Sequence, residues 1–192
     1  MATLILWFSE MLTGDRKSVA AGLRRRDPAL LDLLIEQYEY RLYRYLLYLT
    51  GNREIAEDLF QETWMRVLDR GDQYDGKASF ETWLFAIARH LVIDLYRRKK
   101  PDSLDSLEEP AAVDAQPSPL DEASRRQGER QMQERLERLP AVYREVLLLR
   151  FQEDLELQEI AAVLGTPLST VKSRLYRGLE ALRMELGESH AG

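Results

Sequence analysis

Residues 157–186 read LQEIAAVLGTPLSTVKSRLYRGLEALRMEL, and this stretch decides the fold of the C-terminal part of the chain. A short apolar face is followed by a tight turn at Gly165-Thr166-Pro167 and then by a second apolar stripe. The first face contains Ile160, Ala161 and Leu164, and the second contains Val171, Leu175, Leu179 and Leu182. Two helices that pack through such faces across a tight turn form a helix-turn-helix.

The second helix of this motif carries polar residues on the side opposite its apolar stripe. Small hydroxyl groups lie at its start and cations follow, in the set Ser169, Thr170, Lys172, Ser173, Arg174, Tyr176 and Arg177. A recognition helix needs such groups to enter the major groove, contact base edges and hold phosphates. The alternative is the solvated face of an ordinary helical hairpin. Because a short helix and a tight turn precede this helix, we favour DNA contact.

The composition predicts an all-α protein. Leucine occurs 33 times, whereas valine, isoleucine and threonine together occur 21 times, and strands favour these β-branched residues. No apolar run approaches the roughly 18 residues that span a bilayer, so we expect no membrane insertion. The chain lacks cysteine, and its two histidines, His90 and His190, lie far apart in the sequence. This pattern argues against a metal site.

No catalytic constellation is recognisable in the sequence. The sequence has no nucleophile with a nearby base, no paired set of metal ligands and no glycine-rich phosphate loop at a workable spacing. We therefore expect no enzyme activity, no cofactor and no metal.

The net charge of −6 is concentrated in one segment. Residues 101–124 carry seven acidic residues and no lysine or arginine, and residues 101–123 hold four of the seven prolines. This composition is typical of an unfolded connector, so we predict a flexible acidic linker at 101–123. The rest of the chain is nearly neutral, and its basic residues are mostly arginine, which suits phosphates and base edges.

The linker separates two predicted small helical domains. Residues 16–100 form the first domain, with an amphipathic helix at 29–49 and a third helix that begins at the N-cap Ser79. The second helix lies between them and has an apolar stripe of Ile55, Leu59, Thr63, Val67 and Leu68. Residues 124–187 form the second domain, which contains the helix-turn-helix.

The two ends of the chain lie outside these domains. We expect residues 1–15 to be a poorly ordered leader and residues 188–192 a tail. The apolar run of the leader is too short for a signal peptide and no basic segment precedes it, so we expect the protein to remain in the cytoplasm.

The third helix carries an aromatic and basic face. Trp83, His90 and Arg97 recur every seven residues outside the apolar stripe, with Arg89 alongside. Aromatic residues interleaved with cations form a stacking platform for unpaired bases over a track for the phosphate backbone. An aromatic residue at helical spacing is more often part of the core, so this pattern needs independent support.

The second helix carries an acidic stripe. Glu54, Asp58 and Glu62 are spaced four residues apart, which places like charges on one face at a small cost in stability. With Gln61 and Met65 beside it, this stripe suits docking on a basic partner helix. The pattern alone favours the alternative, a solvated face.

Four motifs in order resemble the bacterial sigma factors of the extracytoplasmic-function (ECF) group. They are AEDLFQETW at 56–64, FETWLFAIAR at 80–89, DLYRR at 94–98 and TVKSRL at 170–175. The resemblance extends over residues 16–186, and it implies a transcription initiation factor with two helical domains, called regions two and four. Such a factor binds core RNA polymerase, directs it to promoters and promotes DNA melting.

The resemblance also implies partners and roles for particular residues. It implies contacts with the β′ clamp helices and the β flap of core polymerase, with promoter DNA and with an anti-sigma factor. The implied polymerase surface comprises Asp58, Gln61, Glu62 and Met65, which reverses the preference for a solvated face. The implied minus-ten DNA surface comprises Phe80, Trp83, Arg89, His90, Arg97 and Arg98. The implied minus-thirty-five surface comprises Ser169, Thr170, Lys172, Ser173, Arg174 and Arg177.

One residue departs from the pattern of the family. His90 stands where these factors commonly have asparagine, at a position that helps to select a flipped minus-ten base, so the promoter sequence cannot be transferred. The alternative function is a stand-alone helix-turn-helix repressor or activator, in which residues 16–100 would bind a ligand or dimerise. The acidic stripe and the lack of an overall basic charge favour the sigma factor.

Overall fold

The computed structural model describes residues 15–99, 136 and 138–188. These residues form seven α-helices, and no strand occurs among them. The helices are α1 (Arg16–Arg24), α2 (Pro28–Thr50), α3 (Arg53–Arg70), α4 (Phe80–Lys99), α5 (Ala141–Phe151), α6 (Leu157–Leu164) and α7 (Leu168–Glu188). The prediction of an all-α chain is confirmed. Almost all of the predicted leader, linker and tail lies outside the described residues.

Local sequence signals account for the helix boundaries. The side chain of Asp27 accepts a hydrogen bond from the backbone N–H of Ala29, and Pro28 occupies the first turn of α2. Helix α2 ends at Gly51, whose φ of 60° is readily adopted by glycine. Ser79 Oγ accepts a hydrogen bond from the N–H of Thr82 at 3.2 Å, so the predicted cap of α4 is confirmed.

Helix α1 was not predicted from the sequence. Its start is fixed by Asp15, whose carboxylate accepts a hydrogen bond from the N–H of Lys17 at 3.2 Å and another from the hydroxyl of Ser18 at 2.6 Å. Val19 and Leu23 of this helix are buried in the core. An aspartate followed by apolar residues at helical spacing was therefore the available signal.

The N-terminal helices α1–α4 and the C-terminal helices α5–α7 share one buried cluster of apolar side chains. Fully buried residues come from both parts, for example Leu84 and Phe85 of α4 and Ile160 of α6. Helices α4 and α6 pack against each other. A second, smaller cluster joins Leu136, Leu139 and Leu147 on the other side of α5.

Candidate polymerase and nucleic-acid interfaces

Helix α3 presents the predicted polymerase surface to solvent. Asp58, Gln61 and Glu62 are exposed, and 54% of Met65 is exposed. The core contacts of α3 come from Leu59, Thr63 and Val67 on its opposite side, which are buried. The acidic residues and the methionine therefore share the outward side of this helix.

Two further residues shape this surface. Leu68, which the apolar periodicity assigned to the core, is 37% exposed and lies one helical turn from Met65. Arg66 donates from Nε to the Glu62 carboxylate at 2.9 Å, an exposed pair within one helix that contributes little to stability. The exposed part of α3 is thus an acidic stripe that continues into an apolar end.

A groove of about 370 Å³ runs between α3 and α4. Asp58, Glu62 and Arg66 line it from α3, and Asp94 and Arg98 line it from α4. Arg98 is exposed at this groove, so the predicted polymerase surface and the basic end of the predicted minus-ten surface lie next to each other.

The predicted minus-ten residues of α4 occupy three different environments. His90, Arg97 and Arg98 are exposed, and Arg97 donates to the carboxylate of Asp94 at 3.2 Å. These three side chains are available to a ligand in this conformation.

Two aromatic residues of this predicted set lie in an aromatic cluster instead. Phe80 is only 4% exposed, with its ring centroid 5.5 Å from that of Tyr38 and 5.9 Å from that of Tyr74. Trp83 is half-buried, 5.2 Å from Tyr74 and 5.9 Å from Phe80. Burial, followed by the charge of Glu81, raises the pKa of Tyr38 to about 12. Phe80 therefore supports the fold in this conformation, and only part of Trp83 reaches the surface.

Arg89, the remaining residue of the predicted minus-ten set, is held by the C-terminal helices. Its Nε donates to the carboxylate of Glu145 on α5 at 2.8 Å, and Tyr45 of α2 donates its hydroxyl to the same oxygen at 3.0 Å. Burial, and then the charge of Glu145, raises the pKa of Tyr45 well above its ordinary value. Tyr45 therefore stays a neutral donor at this contact.

The helix-turn-helix has the predicted geometry. Gly165 ends α6 with a φ of 61°, and α7 begins at Leu168 after the Thr166-Pro167 turn. Val171 is fully buried, which sets the rotation of α7. Of the predicted minus-thirty-five residues, Ser169, Lys172, Ser173 and Arg177 are exposed, whereas Thr170 and Arg174 are partly buried.

Helix α7 is held close to α5 at a glycine. A Cβ atom at Gly178 would lie 3.2 Å from Tyr143 Cβ and 3.2 Å from Leu147 Cδ1, closer than ordinary packing. The exposed face of α7 also includes Tyr176, 71% exposed, and Met184, 66% exposed. Helix α7 therefore exposes both polar and apolar side chains.

The polar contacts between the two groups of helices were not predicted from the sequence. They centre on Glu145, Glu153 and Glu159, of which the first two are 6% and 3% exposed. Charged residues within the apolar run of α5 were a signal, because buried carboxylates require partners. Their partners could not be identified from local periodicity.

Comparison with known proteins agrees with this architecture. Residues 34–101 match the family model described as sigma-70 region 2, and residues 129–182 match that described as sigma-70 region 4. Two solved structures resemble the fold, each at 22% identity. CnrH in complex with the cytosolic domain of CnrY has a TM-score of 0.66, covering 91% of this chain and 97% of that one. RpoE in complex with the anti-sigma factor NepR from Bartonella quintana has a TM-score of 0.65, covering 81% and 96%.

The class defined by these two regions is the sigma-70-type sigma factor, a transcription initiation factor that directs RNA polymerase to promoters. Within it, the chain belongs to the ECF group. It is 34% identical over 164 residues to the ECF RNA polymerase sigma factor SigW of Bacillus subtilis, covering 80% of this chain and 87% of that protein. It is 36% identical over 179 residues to the ECF RNA polymerase sigma factor SigE of Mycolicibacterium smegmatis, covering 91% and 68%.

The family resemblance drawn from the four motifs is thereby confirmed. The alternative of a stand-alone repressor or activator gains no support from these matches. Among the residues that the structure describes, no helix is long and apolar enough to cross a membrane. Within the same residues, no cluster of three or more potential metal ligands occurs.

Proposed function

We propose that this sigma factor uses three separate helix faces for three tasks. The face of α3 with Asp58, Gln61, Glu62 and Met65 docks on the β′ clamp helices of core RNA polymerase. The face of α4 captures and opens minus-ten DNA. The face of α7 contacts the minus-thirty-five element, and its neighbouring apolar residues dock on the β flap.

The observation that carries this proposal is the two-sided character of α7. Val171 is fully buried against the core, whereas Lys172 and Ser173, the next two residues, are exposed at the start of a helix that follows a tight turn. Cations and hydroxyl groups at this place suit phosphates and base edges. A purely structural helix would have no need for this concentration of donors.

The docking role of α3 is supported by charge and apolarity together. Acidic side chains alone are well solvated, but here they adjoin an exposed methionine and an exposed leucine. A partner helix with basic residues beside an apolar patch would complement this surface, because interfaces combine apolar contact with complementary charge.

We also propose that the factor acts in the cytoplasm, has no catalytic step of its own and is regulated by an anti-sigma factor. The last point is supported by the two resembling structures, of which one is a complex with an anti-sigma factor and the other a complex with the cytosolic domain of CnrY.

Transcription in vitro tests the proposal. Core polymerase supplemented with the purified chain is expected to start transcription at a defined set of promoters, and core polymerase alone is not. A stand-alone repressor or activator would instead give no initiation when it is added to core polymerase. It would change transcription only by a holoenzyme that contains another sigma factor.

A further inference from the structure

Helix α1 packs against the loop that connects α3 to α4, residues 71–79. The family model for sigma-70 region 2 matches residues 34–101, so α1 lies outside that match. The loop, by contrast, leads directly into the helix that we assign to minus-ten DNA. The contact between α1 and this loop therefore links an element outside the match to the proposed opening of DNA.

The backbone of the loop approaches α1 very closely at two points. A Cβ atom at Gly71 would lie 3.2 Å from the carbonyl oxygen of Leu23, in the last turn of α1. A Cβ atom at Gly76 would lie 3.0 Å from the carbonyl oxygen of Arg16, in the first turn. Gly76 also has a φ of 75°, which residues with a side chain rarely adopt. Both points leave no room for a side chain, so the path of the loop is set against α1.

The side chain of Arg16 adds a polar contact at the second of these points. Its Nη1 donates a hydrogen bond to the carbonyl oxygen of Lys77 at 3.0 Å. Arg16 is exposed, and one hydrogen bond is a small part of the free energy of unfolding. Its effect is local, because Lys77 lies only two residues before Ser79, the cap of α4. The guanidinium thus holds the backbone close to the point where α4 begins.

Between the two points the loop carries Tyr74, which supports Trp83. The side chain of Tyr74 is only 2% exposed, and its ring centroid lies 5.2 Å from that of Trp83. Its hydroxyl donates to the carbonyl oxygen of Ala78 at 2.8 Å. Burial raises the pKa of Tyr74 to about 12, although the nearby charge of Arg16 opposes this shift, so the hydroxyl stays a neutral donor. A displacement of the loop would therefore move the ring against which Trp83 packs.

From these contacts we propose that Arg16 is a positioning residue for the opening of minus-ten DNA. It holds the backbone of the loop at Lys77. The loop in turn holds the ring of Tyr74 against Trp83, so that Trp83 is already in place to stack on an unpaired base. A side chain that must stack works best when the groups around it fix its position. This proposal rests on the proposed function of α4.

Promoter opening by holoenzyme that contains the full chain tests the proposal. Arg16→Met removes the donor but keeps a long stem, and Arg16→Lys keeps a cation that can donate to the same carbonyl. Lys17→Met is the matched control, because it removes the same charge from the exposed neighbour of Arg16. Permanganate reactivity of unpaired thymines measures opening, and saturating holoenzyme separates opening from binding. Co-elution measures binding to core polymerase, and thermal unfolding measures stability.

We expect Arg16→Met to lower opening about fivefold relative to Lys17→Met, the size expected for one net hydrogen bond. Core binding should match that of the control, and the melting temperature should fall by no more than about 4 °C. Arg16→Lys should recover most of the lost opening. Gly76→Ala should lower opening at least as much as Arg16→Met, because its Cβ would press on the carbonyl of Arg16. Gly51→Ala controls for backbone strain, since Gly51 has a φ of 60° at the end of α2.

Equal opening by Arg16→Met and Lys17→Met overturns the proposal. A loss that Arg16→Lys does not recover also overturns it, because the hydrogen bond to Lys77 would then not be the cause. The same holds for a loss that is matched by an equal loss of core binding.

Holoenzyme with Trp83→Ala separates these outcomes from a failure of the proposed function. If Trp83→Ala loses opening and Arg16→Met does not, the role of α4 stands and only the positioning by Arg16 fails. If Trp83→Ala opens promoters normally, the proposed stacking on α4 fails, and the positioning proposal fails with it.

Discussion

Helices α3 and α4 pack against each other and carry neighbouring predicted sites, yet only on α3 are all of the predicted residues exposed. Its predicted polymerase residues are all exposed. On α4, by contrast, Phe80 is buried, Trp83 is half-buried and Arg89 is bound to Glu145. The difference shows that the outward face of a helix follows from its own periodicity only where no other element docks on it.

The largest effect is expected on α3, where the predicted polymerase residues are exposed. Asp58→Lys combined with Glu62→Lys should abolish binding to core polymerase, because two like charges would face a basic partner at a cost of several kcal/mol. Co-elution with core polymerase measures this, and circular dichroism checks that the chain stays helical. Glu57→Lys is the matched control, since Glu57 is exposed and pairs with Arg53 at 3.0 Å within α3. Normal co-elution of the double variant would show that α3 is not the docking surface.

The next effect concerns α7, on which Arg177 is exposed and Arg174 is partly buried. Arg174→Ala and Arg177→Ala should each weaken promoter binding by the holoenzyme. An arginine that contacts a base contributes roughly 1 to 3 kcal/mol of discrimination, whereas one that contacts a phosphate lowers affinity for all sequences. Footprints on promoter fragments distinguish the two cases.

Arg183→Ala provides a control for this pair, because Arg183 is exposed further along the same helix. Protection of the upstream element that is identical for wild type and both test variants would remove α7 from DNA recognition.

A smaller and more specific effect is expected at His90 of α4. His90→Asn should change the preference at one minus-ten position by about tenfold while leaving the fold intact, since His90 is exposed. Permanganate reactivity of unpaired thymines across single-base promoter variants measures the change. An unaltered ranking of promoters would mean that His90 does not select a base.

Trp83 requires a different substitution strategy because of its contacts. Its ring packs against Tyr74 and Phe80, so Trp83→Ala should reduce DNA opening on every promoter and also lower the thermal stability. Trp83→Phe keeps an aromatic ring and separates stacking from packing. If Trp83→Ala melted promoters normally, this ring would serve packing alone.

The smallest effect is a dependence of the α4 contact on pH. Burial tends to raise the pKa of Glu159, but hydrogen bonds from the backbone of Glu156 and from Ser79 and Thr82 outweigh it and hold the pKa below the ordinary 4.5. The contribution of this carboxylate to the packing of α6 on α4 is therefore complete above pH 4.5 and is lost as the pH falls through the folded pKa. The charge of Arg16 also lowers the pKa of Glu159. The pKa of the neighbouring Glu81 is raised by burial and then by the charge of Glu159.

Thermal unfolding followed by circular dichroism between pH 6 and pH 3 should show a modest loss of stability as the pH falls through the folded pKa of Glu159. Glu159→Gln should weaken this dependence, and an identical pH profile for the variant would exclude Glu159 as its source.

Local sequence determined where the helices begin and end and which face of α7 is buried. Helices begin at the caps Asp27 and Ser79 and end at Gly51 and Gly165, which adopt the left-handed conformation. The apolar stripe of α7 sets its buried face. These are short-range effects of hydrogen bonding, backbone sterics and periodicity, so neighbouring residues suffice to predict them.

Tertiary structure alone decided which of the predicted residues are available. Leu68 belonged to an apolar stripe and became exposed, while Phe80 and Arg89 belonged to a predicted DNA surface and became buried or paired. The partners that decided this, such as Tyr74 and Glu145, come from other helices. Burial and ion pairing depend on which elements meet in space, and the periodicity of a single helix contains no information about the helix that packs against it.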